Sequence, residues 1–226
     1  MLPKGRKSVL DIGTYDGHFA ILMTQYFERV VALDIHAPSF RHPKVASIAG
    51  DATALSFADR SFDCVFCTEV LEHIPRPEQA CREIARVAKY EILVGTPFRQ
   101  DLRSGRTTCQ ACGRTNPPTG HVNTFDERKL THLFPGYRVA AKSFVGTNRE
   151  VTNRVSTFLM DCAGNPWGTY DQDEPCGHCG AKLVPPSSKR TWNSRLCSAL
   201  AVRMNLAQRA FARPHGQWIH LLFTRE

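Results

Sequence analysis

Ser8-Val9-Leu10-Asp11-Ile12-Gly13-Thr14-Tyr15-Asp16-Gly17-His18-Phe19 is an apolar run that stops at a glycine-flanked turn and passes directly into an amphipathic stretch. Strand, tight turn and helix in that order bring a backbone close to a nucleotide-like ligand. Gly13 and Gly17 put no side chain in its way and accept positive φ. The strand ends that follow strengthen this reading. Val30-Val31-Ala32-Leu33 ends in Asp34, 23 residues after Asp11, where a carboxylate at the tip of the second strand of a βαβ unit can accept from both ribose hydroxyls. Val45 to Ala49 runs into Gly50-Asp51-Ala52, which puts another carboxylate at a strand end, suited to an adenine amine. Phe62 to Cys67 then forms a fourth strand and opens into Thr68-Glu69-Val70-Leu71-Glu72-His73-Ile74.

Taken in order, these residues resemble the class I S-adenosylmethionine-dependent methyltransferases, in the group with a D-x-G-x-x-x-G turn and a V-L-E-H-I motif after the fourth strand. The resemblance covers residues 8 to 145 and the C-terminal strand. It implies an α/β fold with a Rossmann-like doubly wound sheet, mostly parallel with an antiparallel C-terminal strand. It further implies S-adenosylmethionine as cofactor and methyl transfer as activity. By the same resemblance Asp11, Gly13 and Gly17 line the methionine and ribose, Asp34 binds the ribose diol, Asp51 and Ala52 meet adenine, and Thr68 and Glu69 border the methyl group. One departure is Tyr15, which replaces the middle glycine of the common G-x-G-x-G turn and must point away from the methionine end or cover it. Glu69 to His73 is similar to the E-x-x-E-H set of some quinone-biosynthesis O-methyltransferases, where it holds a divalent cation. A role at the helix start and cofactor pocket is the preferred alternative. Methyl transfer needs a base only if the acceptor must lose a proton, and His121 and His73 are the candidates. A satisfied loop histidine is the alternative for His121.

A chain of 226 residues buries one substantial core with room for an elaboration. Its 42% hydrophobic content fits a globular protein. No apolar run approaches the ~20 residues of a membrane span and no signal peptide opens the chain, so the expectation is cytoplasmic. The spacing predicts strands at 8–12, 30–34, 45–49, 62–67 and 90–95, and helices at 17–28 and 77–89. Thr124, with Glu127 three residues on, predicts a capped helix to Phe134. Tyr137 to Val145 and Gln217 to Phe223 read as strands. The core is then 1–97, 124–145 and 216–226, interrupted by insertions at 98–123 and 146–215. Only seven residues precede the first strand, so a lid over an acceptor must come from the insertions.

Each insertion carries a C-x-x-C pair followed by glycine, Cys109/Cys112/Gly113 and Cys176/Cys179/Gly180. Glycine there suits the knuckle turn that aims two thiolates at one ion, and four thiolates select a closed, structural zinc site in a zinc-ribbon-like lobe. The 63 residues between Cys112 and Cys176 exceed compact ribbon spacing, so the two insertions must converge; reactive or spare thiols are the alternative. Cys64 and Cys67 share a strand and point to opposite faces, and Cys81, Cys162 and Cys197 read as packing residues. Net charge is +8, and Lys182, Lys189, Arg190, Arg195, Arg203, Arg209, Arg213 and Arg225 stand against Glu226 alone in the last fifth of the chain. Leu196, Leu200, Met204, Ala207 and Phe211 predict one apolar helix face, packed inward on the lobe, with arginines beside it. Such a rim suits an anionic small-molecule or glycan acceptor, methylated at oxygen. RNA or protein docked on the basic lobe is an alternative; no aromatic stacking module is present, and the lack of an N-P-P-Y-like tetrapeptide after the fourth strand argues, by the same resemblance, against base N-methylation. Membrane-surface attachment and a non-catalytic scaffold remain as alternatives.

Overall fold

The computed structural model describes residues 1–36, 38–187 and 190–226, so Lys189 of the basic tail lies outside the described residues. The chain runs through β1 (Ser8–Ile12), α1 (His18–Met23), β2 (Arg29–Asp34), β3 (Val45–Ala49), β4 (Phe62–Thr68), α2 (Pro77–Val87) and β5 (Ala88–Pro97). It continues through β6 (Thr107–Thr108), β7 (Thr115–Asn116), α3 (Glu127–Leu133), β8 (Tyr137–Val145), α4 (Arg154–Cys162), α5 (Trp192–Phe211) and β9 (Trp218–Arg225). Two compact units result: Met1–Phe98 with Phe125–Gly146 and Gln217–Glu226, and Arg99–Thr124 with Thr147–Gly216.

The first unit is a seven-stranded sheet in the order β3-β2-β1-β4-β5-β9-β8. β1 to β5 pair in parallel, and β9 runs antiparallel to both β5 and β8. Parallel strands covered on both faces read as continuous apolar runs, and Val9, Leu10 and Ile12 are almost fully buried. Alternate residues feed two cores. Leu10, Val65, Cys67, Ile92 and Leu221 pack with Ile84 of α2 and Leu130 of α3. Val9, Cys64, Phe66 and Leu93 pack on the α1 side with Ala20 and Met23. Cys64 and Cys67 thus belong to opposite faces of the sheet.

Several expectations need correction. The first helix covers His18–Met23 instead of 17–28, because Gly17 is left-handed at φ 78° and acts as its N-cap, and buried Phe27 must turn the chain into β2. The later helix is capped by Asp126, not Thr124: the Asp126 carboxylate accepts from the Lys129 N–H, while Glu127 pairs with Lys142 Nζ at 2.7 Å. Cys162, expected to be a packing residue, is exposed.

In the second unit α4 and α5 pack together, and β6 pairs with β7 as a two-residue hairpin. The expected inward face of α5 is reversed. Ser198 and Ala201 are its buried residues, whereas Leu196, Leu200, Leu206 and Phe211 are exposed. Small side chains allow close helix packing, and apolar spacing alone does not show which stripe they take.

Candidate functional site: a switch-point crevice and a four-cysteine cluster

From β1 the first unit runs outward to β2 and β3 on one side and places β4 and β5 on the other. Ligands of such sheets bind at the carboxyl ends of the strands flanking that reversal, here β1 and β4. The turn after β1 is built for close approach. Gly13 has φ 76° and donates to the Leu33 carbonyl at 2.8 Å, and a Cβ on it would lie 2.1 Å from Val70 after β4. Tyr15 is also left-handed, at φ 48°, and its side chain is 74% exposed. Its N–H donates to Asp34 Oδ2 at 2.9 Å. Asp34 Oδ1 accepts from the His36 N–H at 3.4 Å, and the Asp34 carbonyl accepts from Gly50 N–H at 2.8 Å, so the β2 and β3 tips adjoin. Asp51 Oδ1 accepts from the N–H and hydroxyl of Thr53 at 2.7 and 2.8 Å, next to buried Ala52.

Asp11 is buried at 2% exposure, and its Oδ2 has no hydrogen-bond partner among the described residues. Burial, with the negative charge of Asp34 adding to it, pushes the Asp11 carboxyl up to about 7. An orphaned buried oxygen beside a left-handed glycine turn fits a site awaiting a donor from a ligand.

A cavity of about 560 Å³ opens on the α1 side of the sheet, lined by Phe19, Leu22, Phe66, Leu93, Trp218 and His220, with Thr68, Glu69 and Ser143. Thr68, Gly95, His220 and Ser143 are register neighbours across β4, β5, β9 and β8. A Cβ on Gly95 would lie 2.7 Å from His220 and 2.8 Å from Thr68, so glycine keeps that row open. Glu69, left-handed at φ 59°, is raised to about 8 by partial burial and then by the charge of Glu72. His220 is lowered by burial and then by the chain's amino terminus. Sequence reasoning missed His220. Its only signal was a polar residue within the apolar run Trp218–Phe223 of the final strand.

His73 ends a 3-10 turn, Leu71–His73, and is half-buried in the first unit. Glu72 beside it is fully buried, and both carboxylate oxygens lack hydrogen-bond partners among the described residues. His121 belongs to the second unit, buried, with Nδ1 2.6 Å from Gln100 Oε1.

The second unit brings Cys109, Cys112, Cys176 and Cys179 together, with their sulfurs all within 4.8 Å of one another. Two equivalent knuckles form. Gly113 and Gly180 are left-handed at φ 71° and 72°, and each donates to the carbonyl of its first cysteine, at 2.9 and 2.8 Å. Cys109–Cys179 and Cys112–Cys176 sulfurs stand 3.7 Å apart. That is far from a disulfide and close to the roughly 3.8 Å edge of a tetrahedron with metal–sulfur bonds of about 2.3 Å. Burial would raise the Cys176 thiol, but the N–H groups of His178 and Cys179 and the Asn116 side chain bring it down to about 6. The Ala181 N–H favours the Cys179 thiolate, but the sulfurs of Cys112, Cys109 and Cys176 push that thiol up to about 12, so the four sulfurs hold protons that a cation must displace. A metal ligand must be a thiolate, so this donor set fits zinc.

Comparison with known proteins agrees with this architecture. Residues 10–91 match the methyltransferase domain family. A demethylmenaquinone methyltransferase of Renibacterium salmoninarum is 45% identical over 65 residues, 26% of this chain and 27% of that one. An uncharacterized methyltransferase of Mycobacterium tuberculosis is 33% identical over 165 residues, 70% of this chain and 58% of the relative. The chain thus spans less than two thirds of these relatives' length. YcgJ of Bacillus subtilis shares the fold at a TM-score of 0.57 and 15% identity, over 99% of this chain and 93% of that one. A SAM-dependent methyltransferase of Archaeoglobus fulgidus does so at 0.53 and 16%, over 98% and 87%. With its strand order, its reversed last strand and the match across β1 to β5, the first unit has the fold of the class I methyltransferases, and residues 10–91 are similar to the methyltransferase domain family.

Proposed function

We propose that this chain is an S-adenosylmethionine-dependent methyltransferase acting on an oxygen of a small, largely apolar acceptor. The observation that carries the reading is the pair of carboxylates, Asp11 and Asp34, beside the left-handed Gly13–Gly17 turn at the sheet's switch point. When bound, S-adenosylmethionine supplies a methyl group activated on a sulfonium. Asp34 receives the ribose hydroxyls on the lone pairs its two N–H contacts leave open. Asp11 offers its orphaned oxygen to the methionine end, and Asp51 offers its remaining oxygen to the adenine amine. Thr68 and Glu69 border the methyl group at the mouth of the cavity.

Phe19, Phe66, Leu93 and Trp218 exclude water from the acceptor and hold it by its apolar body. That lining favours an aromatic or aliphatic acceptor over a glycan, whose hydroxyls would each need a partner. His220, which faces the cavity, accepts the proton of an acceptor hydroxyl, a role for which His73 and His121 were the expectation. Four thiolates leave no open position on zinc, so the lobe is structural and takes no part in the chemistry.

Calorimetric titration with S-adenosylmethionine tests the reading. Asp34→Ala should weaken binding roughly 10- to 100-fold, the worth of hydrogen bonds to a charged group. A wild-type chain that binds no S-adenosylmethionine is a scaffold, and the proposal fails.

A further inference from the structure

We infer that α5 docks on an anionic lipid surface. This helix of 20 residues turns its small and polar stripe inward, through Ser198 and Ala201, and its apolar stripe outward. Trp192 is 73% exposed, Leu206 58% and Phe211 89%, with Leu196 and Leu200 also open to solvent. At ~100° per residue these side chains fall within one stripe about 140° wide. Such a surface stands bare at a cost in water, unless something covers it.

The charges say what covers it. Trp192–Phe211 contains no Asp or Glu. Arg203 sits within the stripe, Arg195 and Arg209 lie along one side of it, and Arg213 follows just beyond the helix. None of the four makes an ion pair among the described residues, whereas Arg103 pairs with Asp101 and Arg106 with Asp161. An apolar helix face with unpaired arginines within it and along one side is the composition that lies in the plane of a bilayer, with rings and leucines at the acyl boundary and guanidinium groups among phosphates. A second copy of the chain fits poorly, because a two-fold contact through this stripe would bring the Arg203 side chains together. RNA would satisfy the arginines and leave leucine and phenylalanine in water. No helix among the described residues is long and apolar enough to cross a membrane, so contact at this helix is superficial.

The test is co-flotation of the full chain with vesicles of phosphatidylcholine alone and of phosphatidylcholine mixed with phosphatidylglycerol. The chain should float with the mixed vesicles and much less with the neutral ones. Arg203→Gln and Arg209→Gln should each weaken binding roughly fivefold, and Leu206→Ser or Phe211→Ser roughly tenfold. These side chains are exposed, so the variants should retain wild-type circular dichroism and melting. The inference is overturned if the chain ignores anionic vesicles, or floats equally with both kinds. It is overturned too if the same substitutions abolish a dimer in sedimentation or an RNA complex while vesicle binding is nil.

Discussion

Glu72 holds a fully buried carboxyl whose two oxygens find no hydrogen-bond partner among the described residues, and burial pushes it up to about 7 from 4.5. The sign of its effect on stability follows from proton counting. Below about pH 4 both the folded and the unfolded chain carry the proton and the group contributes nothing to pH dependence. Between 4.5 and 7 the folded chain keeps a proton that the unfolded chain has lost, so stability falls as pH rises. Above 7 the cost is constant, on the order of 3 kcal/mol if the whole shift is realised. Glu72→Gln removes the ionisation and keeps the shape. Urea unfolding should show the variant ~1–3 kcal/mol more stable than wild type at about pH 8 and equal to it at about pH 4. A difference that does not change with pH would remove Glu72 from the account.

At the level of elements, the row Thr68–Gly95–His220–Ser143 borders the cavity proposed for the acceptor, and its width depends on one missing methyl group. Gly95→Ala places a Cβ against both His220 and Thr68. Methyl transfer to small phenols should drop roughly 10- to 100-fold from misplacement of the acceptor, while S-adenosylmethionine affinity, set at the glycine turn, stays as in wild type. Equal loss of both would mean that the cavity and the cofactor crevice are not separate. The strand tips of this half of the molecule were legible because they are local: apolar run, turn and carboxylate lie within a dozen residues. His220 was not legible, because it meets Gly95 only through an antiparallel pairing with a strand from the far end of the chain. The same limit explains α5. Leu196, Leu200 and Phe211 have helical spacing, but only the packing of α4 on α5 decides that Ser198 and Ala201 face inward. Asp126 displaced Thr124 as a cap for a smaller reason, since two cap-forming residues two positions apart differ only in which one takes extended backbone immediately before the helix.

At the scale of the whole molecule, the two units differ in what holds them together. The first has a seven-stranded sheet with continuous cores on both faces. The second gathers a small cluster around its knuckles, Cys109, Cys176 and Leu183, with Tyr170 and Ala181 against it. So little buried area cannot offset the ordering of the knuckle loops, and metal binding to thiolates supplies on the order of 10 kcal/mol in comparable small sites. Zinc should therefore be present at about one ion per chain in elemental analysis. Chelation, or Cys176→Ser, should abolish amide-exchange protection at 107–116 and 176–183 while leaving protection in β1, β4 and β5 intact. The two cysteine pairs come from insertions separated in sequence by α3 and β8, so losing either knuckle should release both. Metal-free protein whose knuckle amides stay protected would show that packing alone closes the lobe. Simultaneous loss of protection in β1 and β4 would show instead that the sheet depends on the metal.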